Sequence, residues 1–160
     1  MSFKTKVLKL VSLLLNGKPQ IIHANISYIQ ANNLLLGKKI IITGGGRGLG
    51  YAMAKKFISE GAEVLIAGRN EETLKQSAER LECKYLKLDV SNPKEFKAFI
   101  DRANEILSGI NVLINNAGIS LHEQTFFDVT PDTFDQQIDT NLKGAFFLSQ
   151  EFVKNLKQNS

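Results

Sequence analysis

The chain has one cysteine, Cys83, no tryptophan, three prolines and two histidines in 160 residues. A single cysteine excludes an intrachain disulfide and a cysteine-built metal site. His23 and His122 lie too far apart in sequence for a zinc motif, so no metal is expected. No uncharged apolar run reaches the roughly 18 residues a transmembrane helix needs, and the default reading is a cytoplasmic protein. Acids are missing from the first 59 positions. Those positions carry nine Lys/Arg, and the remainder carries eleven against all sixteen acids, a balance of +9 against −5. A basic end suits an acidic partner, a membrane surface, nucleic acid or a phosphate ligand. Nucleic acid is disfavoured, because no aromatic-basic interleaving accompanies the charge. With 43% apolar and 22% charged residues, the chain has the composition of a globular domain, which excludes global disorder.

Residues 1–36 differ from the rest and are read as an N-terminal extension. Lys4, Lys6 and Lys9 precede a short apolar run from Leu10 to Leu15, which resembles a secretory signal but lacks a small-residue cleavage site. Phe3, Val7, Leu10 and Leu14 fall on one helical stripe, so residues 2–15 are expected to form a basic amphipathic helix. Its apolar face would dock on the protein itself or on a second subunit, with peripheral membrane contact as the alternative. Gly17-Lys18-Pro19 ends that helix, and Ile21 to Leu36 reads as an irregular connector.

From residue 37 the pattern alternates. Ile40–Thr43, Glu63–Ala67, Tyr85–Asp89 and Val112–Asn115 are short runs, apolar on both faces, as buried parallel strands are. Helical patterns fill the gaps. One runs from Leu49 to Ser59. A second follows Asn70, with Glu71 and Glu72 suited to the positive end of its dipole and Leu74, Ala78 and Leu81 inward. A third has Asn92 as its cap, Pro93 at its first position and Glu95 three residues after the cap; Phe96, Phe99, Ile100 and Ala103 face inward and Gly109 stops it. A fourth is capped by Thr130, with Phe134, Ile138, Leu142, Ala145, Ser149 and Phe152 as the expected inner stripe. The fold class is therefore α/β, a doubly wound Rossmann-like parallel sheet covered on both faces. In such sheets ligands sit beyond the carboxyl ends of the strands.

Thr43-Gly44-Gly45-Gly46-Arg47-Gly48-Leu49-Gly50 joins the first strand to the first helix. Bare backbone there admits a pyrophosphate to main-chain N–H groups at a helix N-terminus. Neither G-x-G-x-x-G nor the Walker pattern fits: Leu49 stands where the third glycine should, and Tyr51 where the lysine should. T-G-x-x-x-G-x-G fits, through Thr43, Gly44, Gly48 and Gly50. The second strand ends in Ala67-Gly68-Arg69, without the acid that holds a free ribose 2′-hydroxyl. Arg69 and Arg47 would instead meet a 2′-phosphate through charge-assisted hydrogen bonds, which favours NADP(H) over NAD(H).

Thr43-Gly44-x-x-x-Gly48-x-Gly50, Leu88-Asp89-Val90, Asn115-Asn116-Ala117-Gly118 and Asn141-Leu142-Lys143-Gly144, in that order, resemble the short-chain dehydrogenase/reductase family across residues 38–160. The resemblance implies a sheet ordered 3-2-1-4 and a role for each matching position. Gly44, Gly46, Arg47, Gly48, Leu49 and Gly50 would form the phosphate and ribose turn. Asp89 and Val90 would meet the adenine. Asn116, Ala117 and Gly118 would support the sheet and border the nicotinamide ribose. Asn141 matches the catalytic-site asparagine, which holds a water in a proton relay, and its spacing from Ile138 places both toward the sheet. The implied partners are a nicotinamide dinucleotide, a small carbonyl or alcohol substrate, and a second copy of the chain packed through the last helix.

In that family a serine and a Tyr-x-x-x-Lys pair complete the site, a strand and a helix beyond the asparagine. Tyrosine titrates near ~10 unaided and needs the lysine to act at neutral pH. Tyr51-Ala52-Met53-Ala54-Lys55 has the spacing but lies in the first helix after the glycine turn. It is not read as catalytic; nor are Ser120 or His122, both expected to be loop residues. Residues 37–160 thus read as the cofactor-binding half of an oxidoreductase, with no activity expected from this chain alone. A non-catalytic nucleotide-binding module or an inactive truncation product remains the alternative. An open fourth-strand edge predicts poor solubility or a partly molten state.

Overall fold

The computed structural model describes residues 4, 5, 7, 33–121 and 125–158. Residues 4, 5 and 7 are helical and exposed. The remainder of the expected 2–15 helix, the connector to residue 32, His23 and His122 lie outside the described residues. The chain enters the described fold through a turn at residues 34–37, held by a hydrogen bond from Leu35 N–H to the Glu60 carbonyl (2.8 Å). The Leu35 side chain packs on the core.

Among the described residues four strands form one sheet in the order β3-β2-β1-β4: β1 Lys39–Thr43, β2 Glu63–Gly68, β3 Lys84–Lys87 and β4 Val112–Ile114. All pairings are parallel, with Thr43 beside Ala67, Ile42 beside Ile114 and Gly68 beside Lys87. Helices cover both faces: α1 Gly48–Ser59, α2 Glu71–Leu81, α3 Phe96–Ile106, α4 Pro131–Ile138 and α5 Ala145–Gln158. Alternate side chains of each central strand serve opposite layers, because successive Cβ atoms point to opposite faces. Ile40, Ile42, Val64 and Ile66 pack with Ala54, Leu74 and Ala78 on the α1/α2 side. Ile41, Leu65 and Ala67 pack with Phe96, Ile100, Leu148 and Phe152 on the α3/α5 side. Each buried Ile or Leu contributes about 1.5–3 kcal/mol, so the Ile-Ile-Ile run of β1 stabilises both layers at once.

Local signals set most boundaries. Asn70 accepts the Thr73 N–H at 2.8 Å and caps α2. Thr130 accepts the Thr133 N–H at 3.2 Å and caps α4. Asn92 behaves differently. Its side chain makes no cap bond and donates to the Glu95 carboxylate at 2.8 Å, so the segment opens with a 3₁₀ turn, Pro93–Glu95, before α3 begins at Phe96. The third strand ends at Lys87 rather than Asp89.

The inner stripe expected on the last helix is corrected. Between α4 and α5 the chain makes a π-helical turn, Asp139–Gly144. A π turn holds one extra residue, and one residue is about 100° of rotation on a helix with 3.6 residues per turn. Phe134, Ile138 and Leu142 are therefore exposed at 55%, 38% and 62%, while Thr140, Gly144, Leu148 and Phe152 turn inward. Gly144 makes this possible: a Cβ at that position would run into the Val90 carbonyl.

Candidate cofactor site

The strand ends of β1, β2 and β4 meet the loop after β3 around a cleft of about 460 Å³. One wall is the turn from Gly44 to Gly48. Gly44 has φ 66° and Gly48 φ 55°, left-handed conformations that only glycine adopts without strain. A Cβ on Gly44 would also lie 2.9 Å from Asn116 Nδ2 and 3.0 Å from Ala117 Cα. Gly50 is buried just below, where a Cβ would strike the Gly44 carbonyl. Arg47 is the N-cap residue of α1, no side chain caps that end, and no acid lies in its first turn. The positive end of the helix dipole therefore faces the cleft without a carboxylate to offset it.

Thr43 joins this wall to the next. Its buried hydroxyl donates to the Ile114 carbonyl (3.3 Å) and accepts the N–H groups of Asn116 and Ala117, both at 3.0 Å. Asn116 Nδ2 in turn donates to the carbonyls of Thr43 (3.0 Å) and Gly44 (3.3 Å). The loop after β4 is thus stitched to the glycine turn by five hydrogen bonds from two residues.

The other walls come from the end of β2 with the start of α2 (Gly68, Arg69, Asn70, Thr73, Leu74), from Leu88 and Val90, and from Ala117, Gly118, Ile119 and Thr140. Two arginines, Arg47 and Arg69, and no acidic residue line the cleft among the described residues. Bare turn backbone, an uncapped helix N-terminus and two cations form a donor set that fits a diphosphate with a further phosphate.

Most residues expected from sequence are brought together here: Gly44, Gly46, Arg47, Gly48, Arg69, Val90, Asn116, Ala117 and Gly118 all line the cleft. Four are placed otherwise. Leu49 is 70% exposed and does not line the cleft. Gly50 lies under the turn. Asp89 turns its carboxylate to the N–H (2.9 Å) and hydroxyl (2.8 Å) of Ser91, while Leu88 and Val90 on either side of it reach the cleft. Asn141 does not share the expected sheet-facing side with Ile138. Its amide is clamped on one residue, accepting Ile119 N–H and donating to Ile119 C=O, both at 2.8 Å. Tyr51 packs against the core on the α1 side, and Ser120 is an exposed loop residue.

Sequence reading missed Asn70, Thr73 and Thr140. Asn70 and Thr73 pair with each other at the start of α2 and line the cleft beside Arg69, and neither belongs to a motif that marks a site. Thr140 is only 7% exposed, and no helical stripe drawn through Ile138 and Leu142 would select it. Cys83 lies at the opposite end of β3 from the cleft, and burial pushes its thiol up to about 11, which makes it a poor nucleophile at neutral pH.

The family model described as short chain dehydrogenase matches residues 38–160. The chain belongs to the short chain dehydrogenase family. Among curated relatives, a 3alpha-hydroxysteroid dehydrogenase of Mediterraneibacter gnavus is 34% identical over 132 residues, covering 78% of this chain and 52% of that protein. An oxidoreductase of Bacillus subtilis is 37% identical over 128 residues, covering 77% of this chain and 48% of that one. A short chain dehydrogenase structure from Bacillus anthracis superimposes with a TM-score of 0.72 at 31% identity, over 76% of this chain and 52% of its own. One from Mycobacterium smegmatis gives 0.73 at 25% identity, over 76% and 53%. The chain thus spans about half the length of the short chain dehydrogenases it matches. Its doubly wound sheet is the fold of those short chain dehydrogenase structures. Among the described residues no helix is long and apolar enough to cross a membrane.

Proposed function

We propose that residues 37–160 form an NADP(H)-binding unit, with residues 1–36 as a separate basic extension, in a cytoplasmic oxidoreductase that interconverts a small carbonyl and its alcohol. The observation that carries the cofactor choice is the pair Arg47 and Arg69 on one cleft without a facing carboxylate. An acid at the end of β2 would favour a free 2′-hydroxyl; this chain presents Gly68-Arg69-Asn70 instead.

The turn amides of Gly46, Arg47 and Gly48 would hold the diphosphate, with Leu49 and Gly50 setting the start of α1 behind them. The two guanidinium groups would hold the 2′-phosphate. Val90, with Asp89 bracing its loop through Ser91, would border the adenine. Asn116, Ala117 and Gly118 would border the nicotinamide ribose. When bound, the cofactor supplies or accepts hydride. Asn141 would hold a water for the proton relay: with one lone pair and one N–H committed to Ile119, its amide keeps a second of each. No tyrosine lines the cleft among the described residues. We read these 160 residues as a nucleotide-binding unit, which a non-catalytic module would also be, and propose carbonyl reduction for the protein as a whole. Association with a second copy through α5 belongs to the same reading.

Calorimetric titration with NADPH and NADH tests the assignment. Arg69→Ala should weaken NADPH by about tenfold or more, the scale of one lost charge-assisted hydrogen bond, and NADH by much less. Equal losses for both nucleotides would defeat the phosphate assignment.

A further inference from the structure

Behind the cleft wall, one hydroxyl joins the two segments that carry the arginines. Ser77 lies on α2 and is 7% exposed. Its Oγ donates to the Gly46 carbonyl at 2.8 Å, across 31 residues of sequence. Gly46 packs on the same helix: a Cβ there would stand 3.3 Å from Thr73 Cγ2 and 3.5 Å from Leu74 Cδ2. The accepting carbonyl belongs to the Gly46–Arg47 peptide, so holding it fixes the plane from which Arg47 departs. Arg69 and the cap Asn70 stand at the start of the helix that Ser77 occupies.

A turn containing Gly44, Gly45, Gly46 and Gly48 has few side chains to set its conformation, and glycine is the residue least restrained by its own sterics. On the β2 side the turn is held by Gly45 N–H to the Ala67 carbonyl at 3.1 Å. At Gly46 it is held by Ser77. Two cations that share one phosphate must keep their separation to within about half an ångström.

We infer that Ser77 is a positioning residue for nucleotide selection: by clamping the Gly46 carbonyl to α2 it sets Arg47 relative to Arg69, and so tunes the preference for a 2′-phosphorylated dinucleotide. This rests on the NADP(H) reading above. Ser77 touches the turn and does not itself line the cleft. NADH makes no use of the spacing between the arginines, so loss of the clamp costs NADPH more.

The test is calorimetric titration of the 160-residue chain with NADPH and with NADH, for wild type, Ser77→Ala, Ser77→Cys and Ser77→Thr. Thermal melts verify that each variant folds. Alanine and cysteine should lower the NADPH-to-NADH affinity ratio by about fivefold, as loss of one neutral hydrogen bond allows. Threonine keeps the hydroxyl and should hold the ratio within about twofold. If the alanine variant does not fold, the cysteine variant decides, since it has nearly the volume of serine and only a weak donor. An unchanged ratio in a folded alanine or cysteine variant overturns the inference, as does equal weakening of both nucleotides. A threonine variant that shifts the ratio as far as alanine also counts against the hydroxyl. Wild type that binds neither nucleotide overturns the NADP(H) reading itself, a distinct result from a bound cofactor with an unmoved ratio.

Discussion

Thr43 shows how much one side chain can organise. It ends β1, is 1% exposed, and its hydroxyl engages Ile114, Asn116 and Ala117 at once. Valine has the same shape and no polar atom. Thr43→Val should therefore leave two N–H groups unpaired and cost about 2–3 kcal/mol, more than a single exposed hydrogen bond. A urea denaturation curve measures it, and a loss under about 0.5 kcal/mol would show that water replaces the hydroxyl. Thr43 is legible in sequence as the first letter of the T-G-x-x-x-G-x-G pattern. That Ile114, Asn116 and Ala117 are its partners is not, because they lie 71 to 74 residues away. Asp89 makes the opposite point: the motif draws attention to its carboxylate, and that carboxylate is committed to Ser91 two residues on.

At the scale of elements, the π turn Asp139–Gly144 is the piece that most shapes the site. It turns Thr140 into the cleft, sets Asn141 on Ile119 and brings Gly144 against Val90. The local sequence Asp139-Thr140-Asn141-Leu142-Lys143-Gly144 carries no signal against an ordinary helix; the close approach of Gly144 to the Val90 carbonyl and the clamp of Asn141 on Ile119 accompany the wider turn. Gly144→Ala should push the helix off that loop at a cost of about 1–3 kcal/mol, the range for overpacking a tight contact, seen as a lower denaturation midpoint. A neutral alanine would mean that the contact is slack. The wider turn also explains why the inner stripe drawn from periodicity held for Phe152 and failed for Phe134, Ile138 and Leu142.

At the scale of the molecule, β3 and β4 are the outer strands of the sheet among the described residues, and apolar side chains gather near β4. Leu142, Phe146 and Val153 are 62%, 63% and 47% exposed and share one groove with Asn115. Contiguous exposed apolar surface of this kind suits the proposed association through α5. The 160-residue chain should sediment as a dimer or larger species at micromolar concentration, and Phe146→Asp should shift it toward monomer while preserving its helical signal. A monodisperse monomer with a sharp cooperative melt would refute this, along with the expectation of poor solubility.

By itself the sequence determined the layer architecture and the location of the cleft. Strands apolar on both faces must be covered on both sides, glycine-only turns must sit where backbone approaches something closely, and caps such as Asn70 and Thr130 fix helix starts within a few residues. These are local or periodic constraints, readable one segment at a time. Tertiary structure alone decided which residues complete the site. Thr140 enters through a widened turn, Asn141 is oriented by Ile119, and Ser77 reaches Gly46 from a different helix. Each depends on where two segments distant in the chain come to rest, which is set by packing on the shared sheet and not by the residues on either side.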